Sequence, residues 1–273
     1  MKEVILNNGT KIPSIGVGVF RVEDANIAYE TVKTALSVGY RHVDTAMIYG
    51  NEEAVGEAIR DSGVPREEIF LTTKLWNDDQ RSGKVEEAIE ASLKRLGMDY
   101  VNLYLVHWPV KETYVSVWKK MEAVYKSGKA KAIGVSNYQT HHLADLLEEA
   151  EIIPAVNQIE CYPYLSQAAT IQYCLERNIR PEAWGPLGAG KSDILTNPVI
   201  TEIAKKRGLT PAQVVLGWNL ERGVIVIPKS IHKERLTENL KCTDFELTDE
   251  DMTRISALNK NLRLGADPDH FNF

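Results

Sequence analysis

The feature that most constrains this chain is an alternation of short apolar runs with longer stretches of helical periodicity. The runs are rich in Val, Ile, Leu and Tyr, and there are eight of them. They cover residues 14–20, 41–46, 69–75, 101–108, 131–137, 155–160, 179–185 and 223–230. Many are apolar almost throughout, which is typical of parallel strands that are buried on both faces.

Between these runs, apolar residues recur with the spacing of amphipathic helices. These helical stretches cover residues 28–39, 51–63, 82–97, 113–128, 141–151, 167–178 and 210–223. Eight strands joined by helical crossovers over about 250 residues predict a (β/α)8 TIM barrel. The segment EVIL-NNGT-KIPS before the first run predicts a short β-hairpin. No linker interrupts the chain, so we expect one barrel domain over residues 1–273.

An open, doubly wound sheet is the alternative explanation of the same alternation. Such a sheet carries the fingerprint G-x-G-x-x-G at its first strand–helix turn, where it binds the pyrophosphate of a dinucleotide. The first run here, SIGVGVF, contains only G-x-G, and neither a third glycine nor a helix start follows it. The sequence therefore favours the closed barrel.

Charge and composition exclude several classes of protein. The net charge of -6 argues against a nucleic-acid partner, which usually needs a clustered basic surface. The sequence has no apolar segment of the roughly 20 residues that cross a bilayer, nor the apolar core of a signal peptide. The three cysteines have no CxxC spacing and predict reduced thiols. We therefore expect a cytoplasmic protein that binds no membrane.

Polar residues stand where the predicted strands end, and in a barrel this rim carries the chemistry. They come from seven of the eight runs, and Tyr49 lies just past the second one. The residues are Asp44, Lys74, His107, Asn137, Gln158, Glu160, Trp184, Lys229 and Ser230. So many polar groups at one rim predict a functional site there.

Four of these residues form a set that suits the reduction of a carbonyl group. A tyrosine is a weak acid, with a usual pKa of about 10, and a neighbouring ammonium is expected to lower that pKa. Lys74 would supply the ammonium to Tyr49, Asp44 would fix the lysine, and His107 would bind the substrate oxygen. Taken one at a time, Tyr49 could instead anchor a loop, Lys74 and Asp44 could form a buried ion pair, and His107 could belong to the core.

Seven segments that include these residues resemble the aldo-keto reductases, in the family's order and over essentially the whole chain. They are DTAMIYGNE (44–52), LTTKLW (71–76), LVHWP (105–109), IGVSNY (133–138), VNQIE (156–160), EAWGPLG (182–188) and IPKSIHKERLTEN (227–239). The chain resembles small bacterial-type members such as the 2,5-diketogluconate reductases and related prostaglandin F synthases. It implies a (β/α)8 barrel that reduces aldehydes and ketones with NADPH, and a catalytic tetrad of Asp44, Tyr49, Lys74 and His107 with Tyr49 as the proton donor.

The resemblance also implies a set of cofactor and substrate contacts. Ser136, Asn137 and Gln158 would hold the nicotinamide carboxamide, Trp184 would stack on the ring, and the pyrophosphate would lie beside Gly185, Pro186 and Leu187. The phosphate on the adenosine ribose would meet Lys229, Ser230, His232 and Arg235, and the adenine would meet Glu238 and Asn239. The carbonyl pocket would be walled by Phe20, Met47, Trp76 and Trp108.

The segment GPLGAGKS (185–192) also fits the phosphate-binding pattern G-x-x-x-x-G-K-S/T. In a true P-loop, the lysine and the hydroxyl lie in the first turn of a helix. The residues that follow here, DILTNP, are a poor helix start, and Pro198 is expected to break it. We therefore expect no nucleoside triphosphate chemistry.

Two other functions remain possible from the sequence. A barrel lyase could use Lys74 to form a Schiff base, although such an enzyme has no use for the IPKSIHKER segment. A redox-sensing module could hold NADPH without turnover, although it would not need Tyr49 and Lys74. We expect no bound metal, because the six histidines show no ligand spacing beside carboxylates. The expected state is a monomer whose only partner is a small carbonyl substrate.

Overall fold

A computed structural model describes residues 2–273, and a parallel sheet of eight strands lies at its centre. A separate antiparallel pair precedes it, β1 (Glu3–Ile5) and β2 (Lys11–Pro13), with Val4 opposite Ile12. The parallel strands, in chain order, are β3 (Val17–Gly18), β4 (His42–Asp44), β5 (Phe70–Leu75), β6 (Leu103–Val106), β7 (Ile133–Ser136), β8 (Val156–Glu160), β9 (Arg180–Trp184) and β10 (Ile225–Val226). Each strand pairs with the next one along the chain.

The last strand returns to the first and closes the sheet into a barrel. Ile15, just before β3, forms a parallel bridge with Val226. The Gly16 amide donates to the Val226 carbonyl at 2.8 Å, and the Val226 amide donates to the Ser14 carbonyl at 3.1 Å. The predicted (β/α)8 barrel and its N-terminal hairpin are confirmed.

Eleven α-helices lie within residues 2–273, and seven of them match the stretches predicted from periodicity. The helices are α1 (Ala25–Val38), α2 (Glu52–Asp61), α3 (Asn77–Ser82), α4 (Val85–Leu96), α5 (Ser116–Lys126), α6 (Thr140–Glu149), α7 (Ala168–Glu176), α8 (Pro198–Arg207), α9 (Pro211–Glu221), α10 (Lys233–Leu240) and α11 (Asp249–Ser256). The prediction did not include α3, α8, α10 or α11. α3, α10 and α11 are only 6 to 8 residues long, so each offers few turns from which to recognise a period. α8 is 10 residues long and begins at Pro198, which the sequence suggested as a break.

As expected, no α-helix runs from Lys191 into Pro198, because the residues between them form only a 3-10 turn at Ile194–Thr196; Pro198 instead begins α8. The Asn197 side chain accepts a hydrogen bond of 2.9 Å from the Val199 amide and caps α8. Proline is favoured in the first helical turn, where its missing N–H would have no partner and its fixed φ is already helical.

The hairpin plugs the end of the barrel at which the strands begin. Leu6 and Ile12 are buried in one cluster with residues near the starts of the strands, among them Phe70, Leu103 and Ile225. Because this end is filled with apolar side chains, the opposite rim, where the strands end, is the one left for polar groups.

None of the helices formed by residues 2–273 combines the length and apolar character needed to cross a bilayer. The three cysteines Cys161, Cys174 and Cys242 are free and buried. Burial raises the pKa of the thiols to about 11, 11 and 12, respectively, so each stays protonated and unreactive.

Candidate active site

Three neighbouring strands deliver the predicted tetrad to one rim of the barrel. Asp44 is the last residue of β4, Lys74 is the last but one of β5, and His107 directly follows β6. Tyr49 ends a single 3-10 turn, Met47–Tyr49, which Gly50 stops with a φ of 68° in the left-handed region. This short turn after β4 brings the Tyr49 ring back over the strand ends.

Lys74 is the centre of the group. Its ammonium donates to Asp44 Oδ1 at 2.6 Å, to the Thr45 carbonyl at 2.9 Å and to the Tyr49 hydroxyl at 3.4 Å. Its side chain is fully buried, and that of Asp44 is 3% exposed. The three N–H groups of a protonated lysine therefore all have acceptors, one of which is the tyrosine hydroxyl.

Burial and charge oppose each other in setting the protonation of this pair. Burial is the largest single effect on Lys74 and would lower its pKa, but the charge and hydrogen bond of Asp44, together with the charges of Tyr49 and Glu182, outweigh burial and raise the pKa, so the ammonium is retained. Burial raises the pKa of Tyr49, and the nearby ammonium only partly offsets this. The expectation of a lowered Tyr49 pKa is therefore wrong, because desolvation of the phenolate outweighs its attraction to Lys74. Tyr49 stays protonated at neutral pH and can donate its proton.

His107 completes the group as a neutral imidazole. Burial and the charge of Lys74 hold the pKa of His107 well below its usual range. Its ring lies edge-on to Tyr49, with 5.8 Å between ring centroids, and edge-on to Trp76 at 5.2 Å. A neutral imidazole has one N–H with which to orient a carbonyl oxygen.

A second polar group follows β7 and β9. The Trp184 indole N–H donates to Asn137 Oδ1 at 2.8 Å, and Asn137 Nδ2 donates to the His107 carbonyl at 2.9 Å. Asn137 has a φ of 65°, which asparagine tolerates better than most residues. Ser136 Oγ donates to the Gln158 carbonyl at 2.8 Å. The structure thus places these four predicted cofactor residues together, beside the tetrad.

Gln158 joins the two groups. Its Nε2 donates to Asp44 Oδ2 at 2.8 Å and to Glu182 Oε1 at 2.5 Å. Glu182, in the middle of β9, is fully buried, and its Oε2 has no partner among residues 2–273. Sequence reasoning did not select Glu182, although a charged residue between Pro181 and Ala183 within a strand was a signal that could have found it.

Aromatic side chains form a connected group with the rings of Tyr49 and His107. Phe20 is 51% exposed and lies 4.9 Å from the Tyr49 ring between centroids, while Trp76 and Met47 are half-buried and Trp108 is buried. The C-terminal tail, which the sequence did not indicate as part of the site, adds two more rings. Phe273 stacks on Trp76 at 5.8 Å, and Phe271 lies 5.2 Å from Trp108. The Phe273 carbonyl is held by Asn77 at 3.0 Å and by Arg81 at 2.8 Å.

The segment after β10 is basic and open to solvent. Lys229, His232 and Arg235 are exposed, and within residues 2–273 none of them forms an ion pair. The Ser230 hydroxyl is buried and accepts a hydrogen bond of 3.1 Å from the His232 amide.

The two residues predicted to meet adenine lie further along α10. Asn239 is buried there. The carboxylate of Glu238 accepts a hydrogen bond of 2.7 Å from Thr210, at the start of α9, so one of its oxygens is engaged within the protein.

The glycine-rich segment after β9 turns without forming a helix at Lys191. Gly185, Gly188 and Gly190 all have positive φ values, and Lys191 and Ser192 lie outside any helix because α8 begins only at Pro198. Pro186 is buried and Leu187 half-buried. The geometry of a P-loop is therefore missing from residues 185–192.

One cluster contradicts the expectation that no histidine lies beside a carboxylate. Asp269 Oδ1 lies 2.9 Å from His141 Nε2 and 3.4 Å from His142 Nε2, and the sequence separation of these residues hid the contact. The Gln139 amide, however, donates to His142 Nδ1 at 3.2 Å. The proton of neutral His142 is therefore on Nε2, where it faces Asp269 Oδ1. The cluster attaches the tail to α6.

Comparison with known proteins agrees with this architecture. The sequence profile of the Aldo/keto reductase family matches residues 14–260. The chain is 51% identical over 270 residues to glyoxal reductase from Bacillus subtilis, which covers 99% of this chain and 97% of the relative. It is 44% identical over 268 residues to methylglyoxal reductase DkgA from Salmonella typhimurium, with 97% and 96% covered.

A solved structure gives the same result. The crystal structure of an aldo-keto reductase from a Medee basin deep-sea metagenome library superposes with a TM-score of 0.96 at 47% identity, and the match covers 99% of this chain and all of that one. A family profile over most of the chain, relatives matched over nearly their whole length and the closed barrel all agree. The chain therefore belongs to the aldo/keto reductase family of oxidoreductases.

Proposed function

We propose that this protein reduces small aldehydes and ketones with NADPH and that Tyr49 donates the proton. The observation that carries the proposal is the position of Lys74, whose buried ammonium contacts both Asp44 and the Tyr49 hydroxyl at the open rim. This arrangement presents a protonated phenol with a cation behind it, which suits the protonation of an oxygen on which negative charge develops.

Residues of the chain itself supply the proton that the substrate oxygen receives. Tyr49 gives its phenolic proton to the substrate oxygen, and the Lys74 ammonium stabilises the phenolate that results. Neutral His107 orients the same oxygen through its N–H. When bound, NADPH would supply the hydride for the carbonyl carbon, and the nicotinamide would be oxidised in the process.

The residues beside the tetrad fit a nicotinamide. Both N–H groups of Gln158 face carboxyl oxygens, so its carbonyl oxygen is left to accept from a carboxamide. Ser136 and Asn137 supply further polar atoms, and the half-buried Trp184 offers a ring face. We propose that the turn through Gly185, Pro186 and Leu187 borders the pyrophosphate, where the positive φ of Gly185 lets the backbone approach closely.

The basic segment supports NADPH over NADH. Lys229, Ser230, His232 and Arg235 would bind the phosphate on the adenosine ribose, and their cations have no carboxylate partners within residues 2–273 that would have to be displaced. Glu238 and Asn239 would meet the adenine, with Glu238 using the oxygen that Thr210 does not engage.

The substrate class follows from the relatives. Two of them are named glyoxal reductase and methylglyoxal reductase, and we propose small 1,2-dicarbonyl compounds as substrates of this protein. The rings of Phe20, Trp76 and Trp108, together with Met47, form a largely apolar wall near Tyr49, which would not hold a highly charged substrate.

The two alternatives have less support. A Schiff-base lysine must be neutral to attack, whereas Asp44 raises the pKa of Lys74. A redox-sensing module without turnover would not need a proton donor beside that lysine. We further propose that the enzyme works as a monomer in the cytoplasm, where free buried thiols are stable.

The proposal is tested by following NADPH absorbance with glyoxal, methylglyoxal and a panel of larger aldehydes and sugars. We expect turnover with the small dicarbonyls and a higher kcat/KM with NADPH than with NADH. Tight binding of NADPH without turnover of any carbonyl in the panel would instead support the sensing module.

A further inference from the structure

A buried carboxyl group, Glu182, lies behind the tetrad without a place in the mechanism above. It belongs to β9, where it pairs in register with Gln158 on β8 and Ile225 on β10. Its side chain is fully buried, and the charged groups that face it are Asp44 from β4 and Lys74 from β5. The neighbouring strands β8 and β10 present Gln158 and Ile225 at its level, neither of which titrates.

Four side chains form one continuous chain of contacts across the barrel interior. Lys74 Nζ binds Asp44 Oδ1 at 2.6 Å, Asp44 Oδ2 accepts from Gln158 Nε2 at 2.8 Å, and the same nitrogen donates to Glu182 Oε1 at 2.5 Å. Both oxygens of Asp44 are thus engaged. Glu182 is connected to Lys74 through Gln158 and Asp44, and it touches neither the substrate pocket nor Tyr49.

This chain holds two carboxyl groups and one ammonium. A buried charge is costly unless it is paired, and Asp44 already takes the charge of Lys74. Burial, followed by repulsion from Asp44, raises the pKa of Glu182 to about 8. At neutral pH, Glu182 is therefore mostly a neutral acid, and its Oε2, without a partner among residues 2–273, is the oxygen available to carry the proton.

Glu182 has two consequences for the site: its Oε1 holds Gln158 in either protonation state, and its neutral form adds no second negative charge. Gln158 keeps both N–H groups on carboxyl oxygens, which turns its carbonyl oxygen away from them. The ammonium of Lys74 also faces a single negative charge, so it can stabilise a phenolate at Tyr49. A second negative charge at Glu182 would offset the charge of the Lys74 ammonium. It would therefore disfavour the phenolate and make Tyr49 a weaker acid.

We propose that Glu182 is a positioning residue for carbonyl reduction: it orients Gln158, in its neutral form it leaves Lys74 to Asp44 and Tyr49, and it slows the reaction when it ionises. This inference rests on the proposed reductase activity. Glu182 acts through Gln158 and Asp44 and does not touch the reacting atoms.

The test compares the pH dependence of kcat/KM for methylglyoxal, with NADPH, in the wild type and in Glu182→Gln. Glutamine has the shape of the neutral acid but cannot ionise. We expect the variant to match the wild type within about threefold near pH 6.5, because an amide oxygen can still accept from Gln158. Above the pKa of Glu182, kcat/KM of the wild type should fall by up to about tenfold per pH unit, and the variant should lack this loss.

Glu122→Gln is the matched control. Glu122 is also a buried carboxyl, but it lies on α5 and accepts hydrogen bonds from the Glu151 and Ile152 amides, far from the rim. This variant should keep the wild-type profile. Parallel pH profiles for the wild type and Glu182→Gln would overturn the inference, even with reductase activity intact.

A measurement on the wild-type protein separates this inference from the proposed activity. Infrared difference spectra across the same pH range should show a protonated carboxyl band that is lost with the midpoint of the kinetic step. No such band, or a midpoint more than about one pH unit from the kinetic step, would overturn the role of Glu182. A band without any carbonyl turnover would instead contradict the proposed function and leave the protonation of Glu182 standing.

Thermal stability gives a second measurement that needs no turnover. Because the folded state holds the Glu182 proton more tightly than the unfolded chain, this group makes stability fall as pH rises from about 4.3 to about 8. The wild-type melting temperature should fall more steeply across that window than that of Glu182→Gln. Equal slopes would contradict the raised pKa on which the inference depends.

Discussion

Lys74 donates a hydrogen bond of 2.6 Å to Asp44 although both side chains are almost completely removed from solvent. Such a pair is costly to break, because the remaining charge stays buried without a partner. We expect Asp44→Asn to lower the free energy of unfolding by about 3–5 kcal/mol, measured by urea denaturation. Asp78→Asn, which removes the exposed partner of Arg81, should cost no more than about 1 kcal/mol. Equal costs for the two variants would contradict the buried pair.

The Tyr49 hydroxyl also accepts a hydrogen bond from Lys74. Removing this hydroxyl tests whether Tyr49 is the proton donor. Tyr49→Phe keeps the ring beside Phe20 and His107 but has no proton to give. We expect kcat for methylglyoxal to fall by about 10²–10⁴-fold, with the dissociation constant of NADPH, followed by tryptophan fluorescence, nearly unchanged. Tyr29→Phe, which removes a surface hydroxyl bound to Asp61, is the control. Half the wild-type activity in Tyr49→Phe would show that another group supplies the proton.

The tail ring of Phe273 should influence which carbonyl compounds fit the pocket. Phe273 stacks on Trp76 and meets Trp108 edge-on at 5.2 Å. Phe273→Ala removes this ring and leaves space beside Trp76. The ratio of kcat/KM for bulky aromatic aldehydes to kcat/KM for methylglyoxal should therefore rise by a few fold, which corresponds to the free energy of about one aromatic pair. The control is Leu262→Ala, because Leu262 is exposed and its hydrogen bonds with Tyr162 and Tyr164 use backbone atoms that the substitution keeps. An unchanged ratio would place the ring outside the substrate path.

The barrel and the position of the tetrad could be predicted because each depends on local sequence. A run such as IFLTTKL predicts a buried strand from its own residues. The polar residue near its end, Lys74, then marks the rim without reference to other parts of the chain. Contacts between distant segments leave no such trace. Nothing near Trp76 indicates Phe273, and nothing near His141 indicates Asp269.

The sequence also could not show which of two opposing effects is larger at a given residue. The sign of the Tyr49 pKa shift depends on how far burial outweighs one ammonium, which the order of residues does not reveal. Pro198 could either end or begin a helix, and the choice depended on the Asn197 cap. The hydrogen bond from Gln158 to Asp44 crosses the barrel interior from β8 to β4, so it could be recognised only in the three-dimensional structure.

The match to a phosphate-binding loop at residues 185–192 should have no consequence for nucleoside triphosphates. Lys191 is exposed, and neither it nor Ser192 lies in a helical turn. We expect no ATP or GTP hydrolysis and no shift in melting temperature with magnesium-ATP. Lys191→Ala should leave reductase turnover within a factor of about three, as is usual for a surface change. Stoichiometric ATP binding that Lys191→Ala abolishes would contradict this.

The preference for NADPH is expected to depend on Arg235. NADPH differs from NADH by one phosphate on the adenosine ribose, so selecting it requires donors and positive charge where that phosphate lies. Arg235 is exposed on the first turn of α10, close in sequence to Lys229 and His232, and it forms no ion pair within residues 2–273. Its guanidinium can hold a phosphate with two parallel N–H groups, which a lysine cannot do. The helix start adds a favourable field for an anion.

A hydrogen bond to a charged group contributes about 1.5–3 kcal/mol, so Arg235→Ala should weaken NADPH binding by about 10–150-fold. NADH lacks the phosphate, and its dissociation constant should hardly change. Lys241→Ala is the matched control, because it removes an exposed cation from the opposite end of the same helix. Both dissociation constants can be measured by fluorescence titration at one fixed salt concentration, since screening alone weakens exposed charge contacts. If Arg235→Ala weakens both cofactors equally, or if the unaltered protein prefers NADH, Arg235 does not recognise the phosphate.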